Sequence, residues 1–458
     1  MKKDATSTTR TSRKRKQRAT YSPLPHQEET AIVRALNRSL RKIPSNGEIS
    51  EDDIDDDLSD WEDEVETEQK DENETEKDKY ETKWGVKRDH VRVNLFNQPT
   101  GPTQTLLSQR GVKNFFELMF DNKVWHHICK QTNLYAKQQM QLKPDPDWKS
   151  LGVGELKSWV GCLMAMGLNK QNNLRMYWES PWRLSMVADR FTRDRFLAIR
   201  KYLHLADNSV VFDNKTSHAD RLAKVRPLLN LLLQNFHSNY QPSRFLTVDE
   251  DMCKFKGRNV MKQYMRAKIV KWGYKIWKLC DSSSAYTLSL DVYTGASETK
   301  LALGLAHAVV MKLMGSHLEK NHVVMDNFFT SVPLFVNLLA RSTYACGTVR
   351  SNRKYLPEQF GTKQDLVPGK SKFWQSGNLV ATLWQDKQVV RILSSCCEPQ
   401  GADTVTRRRR NQNTTSLPCP PAVKMYSQYM GGVDRSDRMV RTYSVSRASK
   451  KWWFRLFY

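Results

Sequence analysis

The chain has 458 residues, a formal net charge of +24, 39% hydrophobic residues and a mean hydropathy of −0.65. This length allows two or three domains, but so low a hydrophobic content indicates that part of the chain does not form a core. No segment approaches the roughly 18 apolar residues of a membrane-spanning helix, and no apolar stretch follows the N-terminus, so we expect neither membrane association nor secretion. The eight cysteines form no CxxC pair, so we expect a reduced intracellular protein without structural zinc.

Positive and negative charges are strongly segregated along the chain. Residues 45–82 contain 19 acidic and 3 basic residues, which leaves 70 basic and 30 acidic residues elsewhere. This surplus of positive charge outside one acidic segment indicates a polyanionic partner, and we predict nucleic acid. A generic basic protein is the alternative, against which the 13 Trp and 16 Tyr residues argue.

Residues 1–95 are predicted to form a disordered N-terminal arm that is first basic and then acidic. The basic cluster RKRKQR at residues 13–18 is typical of nuclear-import signals or nucleic-acid contacts, and from it we expect a nuclear protein. The acidic run at residues 45–82 has too little apolar surface to fold by itself. It either solvates the chain or binds basic surfaces.

Residues 96–240 carry apolar residues at helical spacing, which predicts a mainly helical domain. The predicted helices cover residues 112–120 with a continuation at 125–129, then 155–168, 185–205 and 221–240. Pro227 lies early in the last helix, where its missing N–H is tolerated. The apolar stripes are typical of helices that pack into a core, while interleaved bases such as Arg193 and Arg200 are also compatible with a phosphate backbone.

Residues 241–349 change to the period of β-strands and are predicted to form the first part of an α/β core. The predicted strands cover residues 245–248, 271–279, 286–293, 322–325 and 344–349, with helices at 299–313 and 331–341. The second and third strands alternate as expected of an antiparallel pair. This order of elements is typical of helices packed on a mixed sheet.

Residues 350–425 are rich in basic residues, Pro and Gly, and are predicted to form a subdomain inserted into the core. Residues 379–384 and 389–393 are predicted to form a hairpin. The four arginines at 407–410 are either a phosphate contact or a solvated loop. Residues 426–458 are predicted to contain the last core helix, which begins after a Gly-Gly turn at 431–432.

Four aspartates lie at the ends of these predicted elements. Asp249 and Asp326 each follow a strand, while Asp434 and Asp437 lie three residues apart on one face of a starting helix. Carboxylates from several elements can bind two divalent ions for phosphoryl transfer, and Mg²⁺ prefers such oxygen ligands. Each aspartate also has a structural alternative, because Asp326 suits a helix N-cap and Asp434 and Asp437 suit a helix dipole.

The sequence around these aspartates falls into three distinctive blocks. They read TVDEDMCKFKGR at residues 247–258, MDNFFTS at 325–331 and GGVDRSDR at 431–438. In this order they resemble the three catalytic blocks of piggyBac-type transposases. DRLAKVRP at residues 220–227 and GTVRSNR at 347–353 extend the resemblance, which covers about residues 110–458.

The resemblance implies an α/β fold with a ribonuclease-H-like catalytic core, split by an insertion domain and preceded by a helical domain for dimerisation and DNA binding. It implies that Asp249, Asp326 and Asp434 are catalytic and bind two Mg²⁺ or Mn²⁺ ions, and that Asp437 is a further catalytic aspartate. It also implies a homodimer that acts on double-stranded DNA, at transposon ends and TTAA target sites. There a nick frees a 3′-hydroxyl, which forms a hairpin on the transposon end before the end is joined to the target.

The last residues depart from the family pattern. The aromatic segment at residues 450–458 matches a family helix that normally continues, and the C-terminal cysteine-rich zinc domain of the family does not follow. We therefore expect a shortened protein that ends on a bare aromatic face. The alternative to a transposase is a domesticated, non-catalytic DNA- or chromatin-binding protein derived from one.

Overall fold

The computed structural model describes residues 80–103, 111–209, 220–266, 268–295, 301–319, 321–362, 365–408, 414–442, 444–445, 449 and 451–458. The basic cluster at 13–18, nearly all of the acidic run, and Arg409 and Arg410 lie outside these residues. Within the described part, no helix is both long and apolar enough to span a bilayer.

The region before the sheet is helical, as predicted. After a two-residue strand β1 (Gly101–Pro102), the helices are α1 (Val112–Met119), α2 (Asn122–Leu142), α3 (Val153–Leu168), α4 (Ser185–Ala188), α5 (Arg193–Tyr202) and α6 (Arg226–Asn239). Asp121 caps α2 by accepting a hydrogen bond from the Val124 amide. The single helix predicted over 185–205 is wrong, because Thr192 caps a new helix there by accepting from the Arg195 amide.

The helical region has its own apolar core, which includes the end of the chain. Trp159 and Phe196 are fully buried, and Trp453 and Phe454 are 2% and 1% exposed in the same cluster. The short helix α11 (Phe454–Phe457) therefore packs its aromatic residues inward. The bare aromatic face expected at residues 450–458 is wrong, because the helical region covers it.

β1 pairs with β2 (Tyr240–Gln241) in a small two-stranded sheet, and a large mixed sheet follows. Its strands are β3 (Phe245–Lys254), β4 (Gln263–Tyr264), β5 (Trp272–Asp281), β6 (Thr287–Val292), β7 (His322–Met325), β8 (Tyr344–Thr348), β9 (Ser371–Ser376), β10 (Leu379–Gln385) and β11 (Val389–Ser394). Helices α7 (Gly304–Met314) and α8 (Val332–Leu339) pack on it through a second apolar core.

The strand order is β4-β5-β3-β7-β8-β11-β10-β9, with β6 paired to β5. β3 is antiparallel to β5 and parallel to β7, and β7 is parallel to β8. The predicted pairs β5–β6 and β10–β11 are confirmed. Strands from the predicted insertion thus extend the same sheet beyond β8, to which β11 pairs antiparallel.

Two smaller features complete the fold. A two-stranded sheet contains β12 (Thr404–Arg408) and β13 (Thr414–Pro418), and two helices follow, α9 (Pro421–Tyr429) and α10 (Gly432–Thr442). The helix predicted to begin after the Gly-Gly turn is therefore confirmed as α10.

The length of β3 differs from the prediction. The strand was predicted to end at Val248, but it continues to Lys254 because β5 pairs with it as far as the Lys254–Gly273 position. The parallel partner β7 does end at the predicted place, where Met325 pairs with Val248. Asp249, Glu250 and Asp251 therefore lie within a strand, at the level where one of its two neighbours stops.

Gly347 permits the close approach of β8 to β7. A Cβ atom at this position would lie 2.5 Å from the Met325 carbonyl oxygen and 2.3 Å from Thr330 Oγ1. We predict that Gly347→Ala lowers the free energy of unfolding by about 3 kcal/mol, because a backbone carbonyl cannot move away as a flexible side chain can. Chemical denaturation measures this change.

Gly161→Ala is the matched control. Gly161 is exposed in α3 and has no atom within 4 Å of a built Cβ. Alanine there should raise the free energy of unfolding by about 0.5–1 kcal/mol through its helix propensity. Equal effects of the two substitutions would contradict the tight packing at Gly347.

Candidate metal centre

Asp249 and Asp326 are brought together by strand register. Val248 and Met325 are partners in the parallel pair of β3 and β7, and an aspartate follows each of them. Asp326 Oδ1 accepts a hydrogen bond of 3.0 Å from the Phe328 amide, and Asp249 Oδ1 accepts one of 2.7 Å from the Glu250 amide. The N-cap alternative for Asp326 does not hold for α8, because Ser331 caps that helix by accepting from the Leu334 amide.

A third carboxylate joins this pair. Asp249, Glu250 and Asp326 each offer a ligand oxygen, and the three oxygens lie within 4.8 Å of one another. Glu250 is only 3% exposed. Glu250 was not among the predicted ligands, because the family resemblance assigns the catalytic role in this block to Asp249. Its only sequence signal was its place beside Asp249.

The carboxyl groups of this cluster destabilise one another's charged forms. Burial raises the pKa of Asp249 well above its ordinary value, and the nearby negative charges of Glu250, Asp326 and Asp434 act in the same direction against Lys268. Burial, with the charge of Glu250, also raises the pKa of Asp326 to about 7. A bound cation would reverse this electrostatic penalty.

Two lysines partly compensate the negative charge. Lys268 Nζ lies 3.5 Å from Glu250 Oε1 and donates a hydrogen bond of 3.3 Å to the Glu250 carbonyl oxygen. Lys275 Nζ lies 4.0 Å from Glu250 Oε2. Both lysines contact Glu250. Among the described residues, neither forms an ion pair within 4.0 Å with Asp249 or Asp326, so the oxygens of the two aspartates remain suitable for a metal ion.

Asp434 and Asp437 lie on the same helix in different environments. Asp434 is exposed on α10, outside the group of three oxygens, but its charge contributes to the raised pKa of Asp249. Asp437 is buried and hydrogen-bonded to Lys278. Burial and a hydrogen bond with Asp251 raise the pKa of Asp437 to about 8. The structure thus groups Asp249 with Asp326, places Asp434 beside them and holds Asp437 in separate contacts.

The donor set fits a divalent ion. Carboxylate oxygens are the ligands that Mg²⁺ and Mn²⁺ prefer, and a buried group of three is the number that such sites use together with water. In the described part of the chain, this is the group of His, Cys, Asp or Glu residues close enough to hold a metal.

Comparison with known proteins identifies the family. A family model described as "Transposase IS4" matches residues 113–458. The chain belongs to this family. The match covers most of the chain and all four aspartates predicted to be functional.

Similar proteins include human piggyBac transposable element-derived proteins. PiggyBac transposable element-derived protein 2 of Homo sapiens is 33% identical over 356 residues, which are 74% of this chain and 57% of that protein. PiggyBac transposable element-derived protein 3 of Homo sapiens is 29% identical over 373 residues, which are 77% of this chain and 59% of that protein. The chain therefore matches somewhat more than half the length of these relatives.

A solved structure supports the same assignment. The chain resembles the piggyBac transposase in a cryo-EM structure of its synaptic complex with hairpin DNA, with a TM-score of 0.68 and 26% sequence identity. The similarity covers 79% of this chain and 74% of that one. The predicted family and the mixed α/β fold are thus confirmed. Transposases of this DDE type use divalent metal ions, for which the carboxylates around Asp249 are suitable ligands.

We predict that Asp249→Asn makes the metal-free protein more stable, by about 1 kcal/mol or more, because it removes one of three crowded buried carboxylates. The same substitution should reduce the rise in melting temperature that Mn²⁺ causes in the unaltered protein, because a ligand that binds the native state stabilises it. Thermal unfolding in EDTA and in Mn²⁺ measures both effects.

Asp194→Asn is the control, because the Asp194 side chain is 82% exposed and pairs only with the neighbouring Arg193 in a surface contact. It should change neither melting temperature. A lower melting temperature of Asp249→Asn in EDTA, together with an undiminished response to Mn²⁺, would show that Asp249 is not part of a metal site.

Proposed function

We propose that this protein is a piggyBac-like DNA transposase that cleaves and transfers DNA strands at TTAA sites with the help of divalent ions. The observation that carries the proposal is the group of buried Asp249 and Glu250 with half-buried Asp326 at the end of the parallel strand pair. Membership of the transposase family and the likeness to a transposase bound to DNA support it.

The arrangement of the sheet supports a ribonuclease-H-like core. Three antiparallel strands, β6, β5 and β3, are continued by the parallel strands β7 and β8, and α10 lies against β3 and β5. The proposed division keeps residues 96–240 for dimerisation and DNA binding, and residues 350–425 as an insertion. The proposal includes a nuclear location, on the basis of the basic cluster at 13–18.

Asp249 and Asp326 would hold the ions, with Asp434 as the third aspartate from the rim of α10. Glu250 supplies a fourth carboxylate close to the first two. The proposed cofactor is a pair of Mg²⁺ or Mn²⁺ ions, which when bound would activate the attacking oxygen and stabilise the leaving oxygen. Successive nucleophiles are water and a DNA 3′-hydroxyl, so no protein side chain has to act as the nucleophile.

A basic surface beside the site suits a DNA backbone. Residues 252–280 contain nine Lys or Arg residues and no acidic residue. Lys254, Arg258 and Lys271 are exposed, and the segment leads away from the strand that carries Asp249. Trp272 is 48% exposed and lies under Lys262, whose Nζ is 4.7 Å from the ring centroid. Exposed aromatic rings among bases can also stack on unpaired nucleotides.

We predict that Lys254→Gln with Lys271→Gln weakens DNA binding and lowers the slope of log K against log salt by about 2, because each lost phosphate contact removes about one released counterion. Fluorescence anisotropy at several salt concentrations measures this slope. Lys83→Gln with Lys87→Gln is the matched control, since both lysines are exposed on a segment paired with β9 at the opposite edge of the sheet. Equal slopes for the two double variants would argue against DNA contact at residues 252–280.

Strand cleavage tests the proposed chemistry directly. On DNA with TTAA-flanked transposon ends, we expect nicking that requires Mg²⁺ or Mn²⁺ and stops in EDTA. Asp326→Asn should slow nicking by more than about 100-fold, because changes to residues that only support metal ligands already cost 10–100-fold. The proposal fails if a folded protein, extended by a C-terminal region of the family, nicks no DNA or still nicks it after Asp326→Asn.

One observation favours the non-catalytic alternative. Asp434 is exposed and its carboxylate is not among the three oxygens within 4.8 Å, so the third aspartate does not complete the group in this structure. A domesticated DNA- or chromatin-binding protein would show salt-dependent DNA binding without nicking. The two assays together therefore separate the two functions.

A further inference from the structure

Asp437 lies in a buried cluster of charges that is separate from the three carboxylates. Lys278 Nζ is 2.7 Å from Asp437 Oδ1 and 2.7 Å from Asp251 Oδ2. The side chains of Lys278, Asp437 and Asp251 are only 7%, 8% and 12% exposed. Arg441 approaches both aspartates at 3.6 Å. At a pH above the raised pKa of Asp437, two positive and two negative side chains thus balance one another.

Both oxygens of Asp437 are directed to cations of the protein. Oδ1 accepts from Lys278, and Oδ2 faces Arg441, one helical turn further along α10. Asp437 is also not in the group of carboxylate oxygens that lie within 4.8 Å of one another. Its contacts therefore indicate a role other than metal binding.

Three contacts hold α10 against the sheet, and the charge cluster is one of them. At the start of the helix, a Cβ on Gly432 would lie 2.8 Å from Thr247 Oγ1, so the backbone of α10 directly contacts β3. In the middle, Ser436 Oγ lies 3.1 Å from Thr287 Oγ1 of β6. Asp437 then reaches Lys278 of β5 and Asp251 of β3.

The position of α10 against the sheet determines where Asp434 lies. Residues three apart are neighbours on one face of a helix, so Asp437 points into the sheet while Asp434, one turn earlier, lies at the rim beside Asp249. We propose that Asp437 is a positioning residue that acts through Lys278 and Asp251 to hold Asp434 beside the metal-binding carboxylates. This inference rests on the proposed function of Asp249, Asp326 and Asp434.

The charge balance of the cluster makes the proposal testable. At pH 9, where Asp437 is ionised, Asp437→Asn alone leaves one excess positive charge among Lys278, Arg441 and Asp251, and Lys278→Met alone leaves one excess negative charge. The double variant Asp437→Asn/Lys278→Met is neutral again, with Asp251 facing Arg441. Breaking one partner of a buried ion pair is far more damaging than replacing both.

The first measurement is DNA nicking. Each single variant should nick about 10–100-fold more slowly, as expected for a residue that orients a metal ligand. The double variant should recover to at least about fivefold above either single variant, since the two residues share one network. A positioning role is excluded if the double variant is as slow as Asp437→Asn.

The second measurement counts bound Mn²⁺ by electron paramagnetic resonance. Asp437→Asn should bind as many ions as the unaltered protein, whereas Asp249→Asn should bind fewer. A lower count for Asp437→Asn that the double variant does not restore would make Asp437 a ligand and overturn the proposal.

The third measurement needs neither metal nor DNA, so it separates failure of this inference from failure of the proposed function. Amide hydrogen exchange in residues 432–442 should become faster in each single variant and return toward the original rate in the double variant. If Asp437→Asn does not fold, Lys278→Met alone serves, because it leaves α10 unchanged in sequence. Unchanged exchange in α10 after Lys278→Met would overturn the proposal.

Discussion

The candidate site depends on the parallel pairing of β3 with β7, which ends at Val248 and Met325. Equivalent positions on neighbouring parallel strands lie side by side, so the next residue of each strand, Asp249 and Asp326, must meet. β3 continues beyond Val248, where it is paired with β5 but no longer with β7. The carboxylates therefore lie at the place where the sheet loses one strand and backbone crowding is relieved.

Such crowding of acids is costly for the fold. Burial and mutual repulsion raise the pKa values of both Asp249 and Asp326, so their charged forms destabilise the metal-free protein. Lys268 and Lys275 offset part of this cost through Glu250. A group of buried carboxylates that is only partly neutralised is typical of a site that completes its charge balance with a ligand.

Two aspartates on α10 show how environment separates residues of one type. Asp437 is neutralised by Lys278 and Arg441, while Asp434, three residues earlier, is exposed beside Asp249. Both lie in the same helix, two and five residues after Gly432. Only the partner on the facing strand distinguishes them, because β5 presents Lys278 to one of the two.

Local pattern was enough to predict much of this protein from sequence. Alternating apolar and polar residues predicted β5 and β6, and an apolar run predicted β7 with its exact bounds. Apolar residues at helical spacing predicted α3 and α6. The blocks around Asp249, Asp326 and Asp434 were enough to indicate the transposase family, because each block is a contiguous stretch of residues.

Contacts between distant segments were decided only by the tertiary structure. The sequence pattern predicted that β3 ends at Val248, whereas pairing with β5 extends the strand to Lys254. The block around Asp249 did not single out Glu250 as a ligand, and no local signal shows that Lys278 meets Asp437, 159 residues away. The aromatic end of the chain appeared bare, although Trp453 and Phe454 fill a core formed mostly by residues more than 200 positions earlier. Sequence pattern records the period and chemistry of each segment, while register and packing partners are settled only when the segments pack against one another.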